Sequence, residues 1–171
     1  MLVPADRSWP DRFEAHRTEL ATSLGAAAVR IDHVGSTAVP GLPAQPVLDV
    51  LVSVPDLADA AAYEPALQRL GLEALPGSAD PRRYGAPPTD SAPGVLVHVC
   101  AAGGPTERAN LLFTAFLRAH PVHADSYLHH KDELRLRVGH DPAAYAAAKG
   151  GFVAAVLDDA ERWAAAHGWS P

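Results

Sequence analysis

The run VLDVLVSV at residues 47–54 constrains the fold more than any other stretch of the chain. It is β-branched and apolar at both odd and even positions around a lone Asp49, and Pro55 closes it. A strand with one wet face alternates polar and apolar residues, whereas one apolar on both parities is covered on both faces. Such a strand needs a layer above and a layer below it, which selects a layered α/β arrangement. Asp49 in its midst is then expected to be buried. An ionised carboxylate there needs a cation, a ligand or several backbone donors.

The rest of the chain supplies those layers. Residues 10–24 carry Phe13, Leu20 and Leu24 between charges, with Pro10 at the start and Gly25 past the end, and read as a helix. Residues 28–34 (AVRIDHV) read as a strand. Residues 35–46 hold two Gly and three Pro and read as an ordered loop with at most one helical turn. A helix is expected over 56–70, closed by Gly71. Short strands are expected at 72–75 and 82–85, a turn-rich loop at 86–94, and a second clear strand at 95–101 (VLVHVCA). Helices come next at about 105–119, 122–137 and 142–167, with Pro121 and Pro142 at two boundaries. This order predicts a small mixed sheet flanked by helices with a helical C-terminal segment, an α/β (α+β) fold in a single domain over 1–171.

Composition limits the function classes. The formal net charge is −6, so no overall field holds a nucleic-acid polymer, although a local cluster of Arg can still hold a phosphate. Cys100 is the single cysteine, which excludes an intrachain disulfide and a Cys-based zinc site. The opening MLVPADRSWPDRF lacks an apolar signal core, and no apolar run reaches the roughly 20 residues of a membrane helix. A cytoplasmic protein without membrane partners is the expectation; the sequence leaves the oligomeric state open. Neither a Walker GxxxxGK[ST] nor a GxSxG string is present, which argues against a P-loop kinase and a serine hydrolase.

One constellation carries chemistry. Gly35-Ser36 comes just after a strand, and Asp49 lies mid-strand after twelve intervening residues. A Gly admits close approach of backbone to ligand, and a Ser hydroxyl bonds phosphate oxygens. Such a turn offers N–H groups to an anion, and a carboxylate on the neighbouring strand can hold a divalent cation against the same phosphates. His98 and Cys100 share one face of the 95–101 strand by alternation. If His98 joins Asp49, an N/O pair results that suits Mn²⁺ or Zn²⁺ better than Mg²⁺. Ser36, Asp49 and His98 are therefore expected to converge on one cleft, with Leu51 pointing the same way as Asp49. His33 either bonds a phosphate or orients the turn. Arg82 and Arg83 are expected to border the cleft as phosphate clamps, and Lys149 on the last helix to reach it. The blander alternatives are a buried acid held by backbone amides at 49, a capping Ser36 and a core His98.

The longer string IDHVGSTAVPGLPAQPVLDVLV at 31–52 closely resembles the signature of the GrpB family. Trp9-Pro10, Phe13, the VHVC strand, LLFTAFLRAHP at 111–121, and Tyr145, Lys149 and Phe152 extend the resemblance over nearly the whole chain. It implies a compact nucleotidyltransferase-like fold. In that superfamily Gly-Ser and an Asp-x-Asp pair bind nucleotide and metal, so Gly35, Ser36 and Thr37 would hold phosphates while Asp49 and His98 hold Mg²⁺ or Mn²⁺. No covalently bound cofactor is implied. Two departures stand out. The second carboxylate position is Leu51, and Gln45 replaces a family lysine. Two readings result: metal-dependent nucleotidyl transfer from a nucleoside triphosphate to an unnamed acceptor, or a binding module for a nucleotide or phosphorylated small molecule that has lost turnover.

Overall fold

The computed structural model describes residues 2–77, 79–89, 91–138 and 141–171; the side chains at 135, 142, 143, 145–147 and 149 lie outside that description. The chain divides into two compact units, Met1–Leu111 and Leu112–Pro171.

The first unit opens with helix α1 (Trp9–Leu24), which carries Pro in its first turn and ends at Gly25 with φ +53°. Strand β1 (Arg30–Val34) leads into a one-turn 3₁₀ helix at Ser36–Ala38, and β2 (Val47–Val54) comes after it. Then come α2 (Glu64–Arg69), β3 (Glu73–Leu75), β4 (Arg82–Ala86) and β5 (Gly94–Ala101). The sheet order is β1-β2-β5-β4-β3, with β2 and β5 parallel at its centre and the other neighbours antiparallel. The mixed sheet expected from the sequence is therefore present.

Alternation divides the sheet into two faces. On the first, Val50, Val52 and Val54 join Val95, Val97, Val99 and Tyr84, all buried against Phe13, Leu20 and Leu24 of α1 and Ala66 and Leu67 of α2. On the second, Val34, Leu51 and Cys100 are buried beneath Leu111 of helix α3 (Pro105–Ala119). The apolar pattern of residues 47–54 thus corresponds to cover on both sides.

Two expectations need correction. The helix over 56–70 is shorter: a 3₁₀ turn at Ala60–Ala62 precedes α2, which starts only at Glu64. Asp56 explains part of this, because its carboxylate accepts the Ala58 N–H at 2.8 Å and holds a turn where helix was expected. Pro65 then sits in the first turn of α2, where its missing N–H costs nothing. The strand over 28–34 begins at Arg30, since the Ala28 N–H bonds back to the Gly25 carbonyl at 3.3 Å.

The second unit contains the latter part of α3, α4 (Pro121–Val138) and α5 (Pro142–His167). Phe113 meets Tyr127 edge-on, His130 stacks on Phe152 with centroids 4.1 Å apart, Phe116 and His120 contact Trp163, and His123 packs on Phe116 and His120. The helical tail therefore has its own aromatic core. No helix among the described residues is long and apolar enough to cross a membrane.

Candidate functional site

Register places the site. Val34, the last residue of β1, pairs with Asp49, so Gly35 begins its turn directly beside that carboxylate. Gly35 has φ +73° and ψ −167°, a conformation open to glycine and strained for any residue with a Cβ. A Cβ there would come within 2.5 Å of Asp49 Oδ2. The glycine is thus required twice, by its backbone angles and by the carboxylate against it.

Asp49 Oδ1 and His98 Nε2 are hydrogen-bonded at 2.9 Å. Leu51 pairs with His98 in the parallel β2–β5 ladder, so alternation puts Asp49, Leu51 and His98 on the second face together. The side chains of Asp49 and His98 are 30% and 16% exposed. Asp49 is therefore less buried than its apolar neighbours imply. It lies near the start of β2, where the Gly35 turn replaces a covering side chain. The alternative of a carboxylate held only by backbone amides does not describe it, since its partner is an imidazole.

Leu51 points the same way as Asp49, as expected, but it does not face an open cleft. It is 0% exposed, closed in by Val34, Cys100 and Leu111. Burial also pushes the Cys100 thiol up to about 11, with the Ser53 hydroxyl 3.7 Å from its sulfur.

Ser36 and Thr37 are buried in the turn that begins at Gly35. Thr37 Oγ1 is hydrogen-bonded to His33 Nε2 at 3.0 Å, and the His33 ring stacks on Phe13 of α1 with centroids 4.7 Å apart and planes 10° from parallel. His33 pairs with Val50 and so belongs to the first face. Of its two expected roles, orienting the turn fits this geometry and touching a phosphate beside Asp49 does not.

The arginines separate for the same reason of parity. Arg83 pairs with His98 and shares the second face, and its Nη2 donates to the Pro76 carbonyl at 2.7 Å. Arg82 pairs with Val99 and lies on the first face near Tyr63 and Tyr84. It does not border the Asp49 carboxylate, which corrects the expectation of a paired clamp. The Lys149 side chain lies outside the described residues.

Sequence reasoning missed Glu107. It is 5% exposed in the first turn of α3, its Oε1 accepts the Gly103 N–H at 3.1 Å, and its Oε2 is buried without a hydrogen-bond partner among the described residues. The available signal was an acidic residue just after Gly103-Gly104-Pro105, a helix-start pattern.

Asp49 and His98 are the two potential cation donors that this face brings together. Their 2.9 Å separation is that of an ordinary hydrogen bond, so a shared cation would have to displace the proton between them. Among the described residues, no three His, Cys, Asp or Glu side chains gather into a metal-binding group.

With this geometry in view, similarity decides the family. The family described as GrpB protein matches residues 1–159. The chain belongs to the GrpB family. A UPF0157 protein of Halalkalibacterium halodurans is 32% identical over 159 residues, covering 91% of this chain and 80% of the relative. A dephospho-CoA kinase of Mycobacterium tuberculosis is 34% identical over 198 residues, covering 99% of this chain and 48% of the kinase, so the chain spans about half of that relative. In structure, the conserved protein GrpB from Enterococcus faecalis superposes with a TM-score of 0.79 at 24% identity, over 95% of this chain and 99% of that one. The Cid1 poly(U) polymerase superposes at 0.53 and 13% identity, over 80% of this GrpB chain and 45% of the polymerase. The fold is nucleotidyltransferase-like.

Proposed function

We propose that this GrpB-family protein binds a nucleotide or another phosphorylated small molecule against the Gly35 turn, with one divalent cation, Mg²⁺ or Mn²⁺, held by Asp49 and His98. The observation that carries this reading is the close approach of Gly35 to a partly exposed Asp49 already paired with His98. On this reading Ser36 and Thr37 belong to the anion-facing turn, His33 fixes that turn through Thr37, and Arg83 is the nearby cation on the same face. The cation would neutralise phosphate charge. The family match runs across both compact units, which supports treating the chain as one domain.

The binding-module reading takes precedence over transfer because of Leu51. Two-metal phosphoryl transfer clamps the attacking and leaving oxygens between ions held by several carboxylates. Here the second position is an apolar plug beneath Leu111 rather than a vacant ligand site. Nucleotidyl transfer is the second reading, favoured by the likeness in fold and by the accessibility of Asp49.

The test is calorimetric titration of the full chain with nucleoside triphosphates and Mn²⁺, alongside consumption of labelled ATP, CTP, GTP and UTP. Binding that is lost in Asp49→Asn, with no consumption, supports the module. Consumption lost in the same variant supports transfer. Wild type and Asp49→Asn behaving alike in both assays overturns the site.

A further inference from the structure

A concavity adjoins the turn that begins at Gly35. A cleft of about 450 Å³ lies between the N-terminal segment and the loop after the turn, lined by Ala5, Trp9, Pro10, Thr37, Val39 and Pro40 among others. That volume falls in the range of small-molecule sites, which are mostly apolar with a few polar groups that fix orientation.

Its walls are fixed by backbone. The N-terminal segment is tied to the loop by reciprocal bonds, Val3 N–H to the Ala44 carbonyl at 2.9 Å and Ala44 N–H to the Val3 carbonyl at 3.1 Å. Trp9 is buried with Ala44 and Leu48, and Val3 and Ala5 pack on that cluster. The Asp6 carboxylate accepts the Ser8 N–H at 2.8 Å, which sets the bend into α1. The cleft thus exists before any ligand arrives, so little ordering opposes binding.

Asp6 and Arg7, both exposed, supply its charged groups. An aliphatic chain would leave both unused. A nucleobase offers donors to the carboxylate and acceptors to the guanidinium while its flat faces contact the proline rings and the apolar floor.

Thr37 and Ala38 line this cleft and also belong to the turn that begins at Gly35 beside Asp49. We propose that the cleft seats the nucleoside portion of the phosphorylated ligand whose phosphates face the Gly35 turn. This rests on the phosphate-binding reading above and assigns the organic half of the ligand.

The experiment separates the two halves. The full chain is titrated with nucleoside triphosphates, the matching nucleosides and inorganic tripolyphosphate at one fixed Mn²⁺ concentration. At least one nucleoside triphosphate should bind about tenfold or more tightly than tripolyphosphate, a difference of about 1.4 kcal/mol. Ala5→Phe, which fills the cleft from a partly exposed position, should remove that advantage and leave tripolyphosphate binding unchanged. Arg7→Ala, at an exposed position, should weaken nucleoside binding several-fold without lowering the melting temperature, and serves if Ala5→Phe fails to fold. Equal affinity for triphosphates and tripolyphosphate, or triphosphate binding indifferent to these substitutions, overturns the cleft assignment and leaves the phosphate reading intact. Nucleosides that bind in an Ala5-dependent way, with no binding of tripolyphosphate, overturn the phosphate reading and leave the cleft.

Discussion

Restoring the missing carboxylate tests why it is missing. Leu51→Asp recreates the Asp-x-Asp pair, and the structure implies that the protein will not tolerate it. Leu51 is 0% exposed among Val34, Cys100 and Leu111. Removing a buried Leu side chain costs about 2–5 kcal/mol in lost transfer energy and residual cavity. The incoming carboxyl has an apolar surround, so it remains protonated or buries a charge, which adds about 1–3 kcal/mol. The sum, about 3–8 kcal/mol, is about half of the roughly 5–15 kcal/mol that holds a typical domain folded. Urea unfolding followed by far-UV dichroism should show the stability of Leu51→Asp lowered by about 3 kcal/mol or more. Leu51→Met, which keeps the volume, should stay within about 1.5 kcal/mol of wild type. The reasoning is refuted by a Leu51→Asp protein within about 1 kcal/mol of wild type that gains Mn²⁺-dependent stability. Such a result would mean that position 51 opens readily to ions.

Further outcomes are open to measurement. Gly35→Ala should lose about 1–3 kcal/mol through backbone strain alone, and its Cβ should displace Asp49, so the Mn²⁺-dependent rise in melting temperature that the proposed site predicts for wild type should vanish; unchanged melting curves would contradict this. Cys100, held protonated by burial with its thiol at about 11, should resist alkylation at pH 8 in the native state and react promptly in urea. The same shift has a defined sign. The unfolded thiol ionises first as pH rises, so the native state holds the extra proton, and stability should fall between about pH 9 and 11. Tyr63 and Tyr84, also raised by burial, act in the same direction at still higher pH; chemical denaturation at pH 8 and pH 10.5 reads the effect. Tyr63→Phe should cost about 1 kcal/mol, because it deletes the bond its hydroxyl donates to the Leu57 carbonyl at 2.9 Å while keeping the buried ring.

How much of the fold was legible in the sequence depended on which signals are local. The 47–54 strand was legible because both of its parities are apolar, and both faces are indeed covered. Prolines and glycines marked most boundaries to within a residue or two. The helix expected over 56–70 was too long because the periodic pattern does not register Asp56 closing a turn on Ala58. Alternation put His98 and Cys100 on one face of their strand, but the hydrogen bond of His98 to Asp49 depends on the parallel pairing of β2 with β5, which is not a local signal. The exposure of Asp49 was misjudged, because its cover depends on the segment after β1, and that segment is a glycine turn. Arg82 and Arg83 show the opposite failure. Adjacent residues in a strand face opposite ways, and treating them as one clamp required the loop that was expected to hold them. Glu107 was legible as a helix-start acid but not as a buried one, since its burial depends on helix α3 packing Leu111 onto Cys100 and Leu51.

The parallel pairing of β2 with β5 also has a kinetic side. β1 and β2 meet across a short loop, but Asp49 reaches His98 only across 49 residues of chain. Pairings so distant in sequence form late, because loop-closure entropy opposes them until enough of the sheet exists to reward it. The Gly35 turn and Asp49 can therefore be in place while His98, the imidazole that bonds this carboxylate, is still unfolded elsewhere. The ligand binding proposed for this site should accordingly return last in a refolding experiment, after helical dichroism and after Trp9 has become shielded, and its half-time should track the docking of β5 alone.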